Sequence, residues 1–204
     1  MDQIRTELYK IDMNNADEIL KFYKKHKAYY ENLNKAIDKM TIEEFIVVKQ
    51  KYCVALEKQK QYNEAFIILA QVDKLLGRLK NKSSEYYSDF YENTLFWEGV
   101  VLGRQNKYSE SNERFGKLIV IDPKNEKYQN WYLTNKEWIF KKKYNLWEYT
   151  LLFILLISVL FGKQIFGKYI LYIDLPLFLI LVGWFTYRVF YRKIIKHREK
   201  LNNE

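Results

Sequence analysis

The sequence predicts an all-α chain, a helical-repeat domain followed by two membrane-crossing helices. Three observations carry this reading. A ten-residue motif occurs twice, as LEKQKQYNEA at Leu56–Ala65 and LGRQNKYSES at Leu102–Ser111. Two uncharged apolar runs, YTLLFILLISVLF at Tyr149–Phe161 and LPLFLILVGWFTY at Leu175–Tyr187, stand close together near the C-terminal end. The net charge of +9 is concentrated around those runs. Residues 1–135 hold 22 Lys+Arg against 20 Asp+Glu, a balance of +2, so residues 136–204 hold 12 against 5, a balance of +7. The chain is therefore divided into a helical domain at 1–143, a transmembrane hairpin at 144–191 and a basic tail at 192–204.

From the beginning, MDQIRTELYK has no apolar run of the kind a secretory signal needs and is too acidic for a matrix-targeting presequence. The next stretch, DMNNADE from Asp12, carries the acids and amides of a calcium loop. It lacks the Gly such a loop needs for its sharp turn, and Tyr23 stands where the closing Glu belongs. It reads instead as a helix start, with Asn14 or Asn15 as cap and Asp17 and Glu18 favouring the dipole. Helices are predicted at about 15–39, 41–60, 62–79, 84–106, 108–121 and 125–143, with Ser83 or Ser84 capping the fourth.

A repeat separated by tens of residues is the signature of stacked supersecondary units. In the second copy Gly99 is followed by Ser111, Phe115 and Pro123 at intervals of 12, 4 and 8 residues, with Tyr108 beside the turn. This resembles the tetratricopeptide repeat (TPR), whose pattern sets a small residue, Ala, an aromatic and Pro at those intervals. In the first copy Cys53, Tyr62, Ala65 and Leu69 take the corresponding places, and the terminal Pro is missing. The physical reading is that small side chains at Gly99 and Ser111 let two helices cross closely, while Pro123 ends the second. The first and last helices then serve as caps over the exposed apolar ends of the array.

The resemblance also implies a concave groove lined by the first helix of each unit, which holds a peptide or a partner's helix. It places Val47, Gln50, Val54, Glu57 and Lys58 there from the first copy, and Asn93, Phe96, Val100, Gly103 and Arg104 from the second. Lys58 and Arg104 are the bases shared by the two motif copies. Beside Val54, Phe96 and Val100 they suit an acidic or amphipathic segment with an apolar part. Gln50 and Val54 do not reproduce the Lys and Asn combination with which the family clamps a chaperone tail, so no chaperone tail is expected.

Each apolar run alone covers only about 20 Å of the roughly 30 Å hydrocarbon core. The spans are therefore extended to about 144–163 and 174–191, with Glu148 in the headgroup zone, Lys163 snorkelling, Asp174 capping, Pro176 in the first turn and Arg188 reaching the interface. Tyr144, Trp147, Tyr149, Trp184, Tyr187 and Tyr191 stand where amphipathic rings prefer to lie. Lys and Arg cluster before the first span and after the second, and only Lys163 and Lys168 lie between them. An integral membrane protein with both termini cytoplasmic follows. The single Cys53 suits a reducing compartment.

No catalytic or metal-binding constellation is present in the sequence, and no cofactor is expected. His26 and His197 have no spaced partners, Cys53 has no neighbouring His, and there is no phosphate-cradling Gly-rich loop. Asp174 and Glu148 fall at helix ends, where hydration or capping accounts for them better than ion conduction. Interleaved bases and tyrosines in KFYKKHKAYY could stack on nucleic acid, but the near-neutral first 135 residues argue for a packed aromatic face instead. The sequence thus points away from an enzyme. It suggests a membrane-anchored adaptor or scaffold with a protein partner and the lipid bilayer as its two contacts. The alternatives are a structural subunit of a larger membrane complex and, less favoured by the apolar spans, a transport or insertion component.

Overall fold

The computed structural model describes residues 2–82 and 84–166, together with Ile180, Gly183 and Thr186. Among the described residues every regular element is helical: α1 (Asp2–Leu8), α2 (Ala16–Lys25), α3 (Lys27–Glu31), a 3-10 turn at Leu33–Lys35, α4 (Lys39–Lys58), α5 (Tyr62–Lys80), α6 (Tyr87–Arg104), α7 (Tyr108–Ile121) and α8 (Glu126–Phe166). The chain divides into two units, Met1–Ile139 and Phe140–Glu204.

In the first unit α4 and α5 form one antiparallel hairpin and α6 and α7 a second, and α5 packs on α6. The twin motif is the turn of each hairpin. Lys60 and Asn106 occupy the same place in the two copies and share a left-handed backbone, with φ of 61° and 62°. In the first turn Gln61 N donates to Leu56 O at 2.9 Å and Lys60 N to Glu57 O at 2.9 Å; in the second, Lys107 N donates to Leu102 O at 3.0 Å and Asn106 N to Gly103 O at 3.0 Å. Both are Schellman closures, in which a left-handed residue lets two backbone N–H groups satisfy the last carbonyls of the helix. The recurrence of polar residues at this point thus has a backbone cause. Asn tolerates the left-handed region and Lys does so at a cost. Lys60→Gly is therefore expected to raise stability by about 0.5–1 kcal/mol, read as a higher denaturation midpoint with an unchanged slope.

Beyond the turns, the small positions bring the helices together. Cys53, Ala65 and Leu69 are fully buried in one hydrophobic cluster with Tyr62 against its edge. In the second hairpin a Cβ on Gly99 would lie 2.7 Å from Phe115 Cε2. Ser111 Oγ donates to Gly99 O at 2.6 Å and accepts from Asn135 Nδ2 at 2.7 Å, joining α6, α7 and α8. Phe115 stacks on Trp131 with centroids 5.6 Å apart, and Tyr108 stacks on Trp138 at 5.8 Å. Helix α7 stops at Ile121 with Asp122 as its C-cap, and Pro123 follows. A proline here restrains Asp122 to non-helical backbone, which accounts for the stop.

The amino-terminal region departs from the expected single helix over 15–39. Helix α2 begins as expected at Asn15, whose side chain accepts from Asp17 N and Glu18 N, but ends at His26. The break turns Tyr29 and Tyr30 inward, where both rings pack on Phe45 at 5.1 and 5.0 Å. Burying two large aromatics outweighs one continuous helix. Helix α1 was not foreseen. It is held by an Arg5–Glu44 ion pair at 2.7 Å. Helix α4 starts earlier than expected because Asp38 caps it, accepting from Thr41 N at 2.8 Å. The expected cap at Ser83 or Ser84 is also corrected: Tyr86 occupies the N-cap of α6, while Ser84 Oγ donates to Glu43 at 2.5 Å, and Ser83 lies outside the described residues.

In the second unit, α8 continues to Phe166. Among the described residues no helix is long and apolar enough to cross a membrane. Of the expected spans, 174–191 lies outside them except for Ile180, Gly183 and Thr186, and within 144–163 only the side chains of Tyr149, Thr150, Phe153, Ile154 and Ile157 belong to them.

Candidate partner-binding cleft

A cleft of about 570 Å³ opens between α2, α4 and α6. From α4 it is lined by Val47, Gln50, Lys51, Val54, Ala55 and Lys58, from α6 by Asp89, Phe90, Asn93 and Trp97, and from the amino-terminal segment by Met13, Asn14, Ala16 and Ile19. Its floor is rigid because Gln50 is 5% exposed and fully engaged. The Gln50 amide donates to Phe90 O at 2.9 Å and Thr94 Oγ1 at 2.8 Å, and its carbonyl accepts from Asn93 Nδ2 at 2.8 Å. A buried amide with all these partners fixes the register of α4 against α6.

Of the ten residues expected in the groove, the cleft brings together Val47, Gln50, Val54, Lys58 and Asn93. The others are elsewhere. Phe96 and Val100 are buried in a second cluster with Phe115, Leu118 and Tyr128. Gly103 faces Ser111, Trp131 and Asn135. Glu57 and Arg104 pair with each other at 3.0 Å, and the Arg104 guanidinium lies 5.5 Å over the Trp131 ring. Arg104 is therefore not the second free base that the motif alignment suggested. The face of α6 is rotated relative to the expected one because Phe96 and Val100 are drawn to Phe115 and Leu118 on α7 and Tyr128 on α8. Asp89 and Trp97 replace them at the cleft.

The charges of the cleft are placed unequally. Among the described residues Lys58 is exposed and has no hydrogen-bond or ion-pair partner, while Lys51 Nζ donates to Asn14 Oδ1 at 2.9 Å. A smaller recess of about 370 Å³ shares Asp89 and Asn93 with the cleft and adds Glu92, Phe96, Asn125, Lys127 and Tyr128. There Tyr128 donates its hydroxyl to Glu92, and Lys127 Nζ sits 4.0 Å over the Phe96 ring. Comparison of the chain with family models, with curated proteins and with solved structures gives no match.

Two buried charged side chains, Lys49 and Glu98, escaped the sequence reading. Lys49 on α4 is fully buried, its Nζ donating to Tyr23 Oη at 3.0 Å and Gln71 Oε1 at 2.6 Å. Burial pushes this amine down to about 8. Glu98 on α6 is 4% exposed and pairs with Arg114 Nε at 2.6 Å. Burial and the neighbouring Asp73 carboxylate nevertheless push it up to about 7, against the pull of Arg114. Neither lines the cleft. Only the helical spacing of Lys49 within the apolar face Phe45, Ile46, Tyr52 and Leu56 signalled burial.

Other reactive side chains are structural. Cys53 is fully buried and its thiol is pushed up by burial. His26 Nε2 lies 2.8 Å from Glu7 Oε2. Asp12 Oδ1 accepts from Asn14 N at 2.8 Å, as a turn residue does. Among the described residues no three His, Cys, Asp or Glu side chains are grouped to hold a metal ion. His197, Asp174 and the Glu148 side chain lie outside them.

Proposed function

We propose that the chain is a membrane-anchored adaptor of the tetratricopeptide type, which takes a partner protein into the cleft between α2, α4 and α6. The observation that carries the reading is the cleft itself: a floor fixed by Gln50, apolar walls from Val47, Val54 and Trp97, and an unpaired Lys58 at the rim. A concave site with apolar walls and few polar groups of fixed position is a general ligand-binding arrangement. Anchoring is supported by α8, where Tyr149, Phe153, Ile154 and Ile157 are 69, 61, 44 and 41% exposed. Exposed apolar side chains grouped in this way find no favourable surroundings in water. The C-terminal hairpin would hold it in lipid, with both termini cytoplasmic as the flanking bases suggest.

A second reading, a fixed subunit of a membrane assembly, draws on Ile67, Val120 and Ile121, which are 59, 81 and 46% exposed away from the cleft. The two differ in what Lys58 does. In an adaptor, Lys58→Glu lowers the yield of one crosslinked partner at equal expression and leaves membrane attachment unchanged. In a fixed subunit the yield stays the same. For the anchor, alkaline carbonate is expected to leave the full chain in the membrane pellet, and its release to the supernatant would remove the hairpin from the account.

A further inference from the structure

We infer, resting on the adaptor reading above, that the cleft takes an extended peptide segment carrying both charges, a carboxylate toward Lys58 and a base toward Asp89, with an apolar side chain between them. Gln50 donates to Phe90 O and Thr94 Oγ1, so the beginning of α6, with Asp89, stands level with Gln50 on α4. Lys58 lies eight residues further along α4, about 12 Å away at the helical rise per residue. Lys51, the other base of the lining, is held by Asn14, so the charged lining residues that no side chain engages among the described residues, Lys58 and Asp89, are opposite in sign and separated along the cleft. Between them stand Val54 and Trp97, which offer an apolar wall.

A uniformly acidic ligand does not fit this arrangement. Arg104, the second base the motif pointed to, is held by Glu57 and Trp131, which leaves Lys58 as the free ammonium at one end. At the other end Asp89 is exposed, and Lys127, the base of the adjoining recess, is turned onto the Phe96 ring, so a second acid on the ligand would meet the Asp89 carboxylate. An extended backbone covers about 12 Å in roughly four residues. Among the described residues no hydrogen bond engages Asn93 Oδ1, the atom beside the floor able to accept from such a backbone.

The test uses the full chain in detergent micelles and four labelled ten-residue peptides built on a Leu-containing frame, read by fluorescence anisotropy. One peptide has Glu and Lys four residues apart, one has two Glu, one has two Lys, and one has Glu and Lys adjacent. The first is expected to bind roughly tenfold more tightly than the others at low salt and to lose that margin as salt rises. Lys58→Glu should switch the preference to the two-Lys peptide, and Asp89→Lys to the two-Glu peptide. A misfolded variant cannot produce such an exchange of preference. Equal binding of all four, binding of none, or a preference unchanged by either variant overturns the inference. If the preference fails while Lys58→Glu still lowers the crosslinked partner yield, the adaptor reading stands and only this ligand chemistry falls. If both fail, both fall.

Discussion

Gly99→Leu is expected to lower the stability of the helical domain by about 3 kcal/mol or more, at the upper end of what overpacking costs. The site is closed before a leucine is built: the Cβ alone would sit 2.7 Å from Phe115 Cε2. Phe115 cannot turn aside. It is fully buried, stacked on Trp131 at 5.6 Å and met edge-on by Phe96 at 5.9 Å. Moving α6 away from α7 would also break the 2.6 Å bond from Ser111 Oγ to Gly99 O, leaving a buried carbonyl under-satisfied. Gly77 on α5 is the contrasting case, with nothing within 4 Å of a Cβ. Gly77→Ala should stabilise by roughly 0.5–1 kcal/mol through helix propensity alone. Thermal melts of the full chain in detergent would show the first variant lowered by roughly 10 °C and the second slightly raised. A Gly99→Leu melt equal to the wild type would mean that the two helices do not cross at this residue.

The second large effect is a stability minimum near neutral pH, where many proteins are most stable. Glu98 is pushed up from its ordinary 4.5 to about 7, so between those values the folded chain holds more protons than the unfolded chain. Stability then falls as pH rises from 5 to 7. Lys49 is pushed down from 10.5 to about 8, so between 8 and 10.5 the folded chain holds fewer protons than the unfolded one. Stability then rises with pH from 8 to about 9, above which the buried Cys53 thiol, pushed up from its ordinary 9.0 and so protonated in the folded state alone, opposes the rise. The acidic arm spans up to about 3 kcal/mol and the basic one about half as much. Above pH 10 the curve turns down again, because burial keeps Tyr23, Tyr30, Tyr52 and Tyr128 protonated beyond the ordinary tyrosine range in the folded state alone. Urea denaturation from pH 5 to 10 reads both arms. Glu98→Gln should flatten the acidic arm and Lys49→Met the basic one. A profile highest at pH 7, or arms unaffected by these variants, would contradict the buried placement of both groups.

The parts of the fold carried by backbone chemistry were the most legible in the sequence. The twin motif located both hairpin turns because Lys60 and Asn106 stand at the same step of it, and each turn closes there through a left-handed residue. Gly99, Ser111 and Phe115 could be assigned together because close helix crossing demands small residues opposite a ring. The amino-terminal region was harder to read. Nothing local announces that the helix breaks at His26, since the break follows from burying Tyr29 and Tyr30 against Phe45, nearly 20 residues later in the chain. The cleft was half legible for a similar reason. On α4 the register of the first motif copy placed Val47, Gln50, Val54 and Lys58 at the cleft, and only Glu57 turns away, to Arg104. On α6 two apolar faces compete, and which one meets α7 and α8 depends on Trp131 and Tyr128, beyond the repeat. Nor does sequence alignment of Lys58 with Arg104 show that Glu57 of the first hairpin reaches Arg104 of the second.

The most direct test of a partner seated in this cleft is site-specific photocrosslinking of the full chain in its membrane. One crosslinker replaces Asn93, exposed at the cleft, and another replaces Ile67, 59% exposed and outside it. The adaptor account predicts one defined protein adduct from position 93, absent from position 67 and lost when Lys58→Glu is added. Equal adducts from both positions, or an adduct at 93 indifferent to Lys58→Glu, would contradict it.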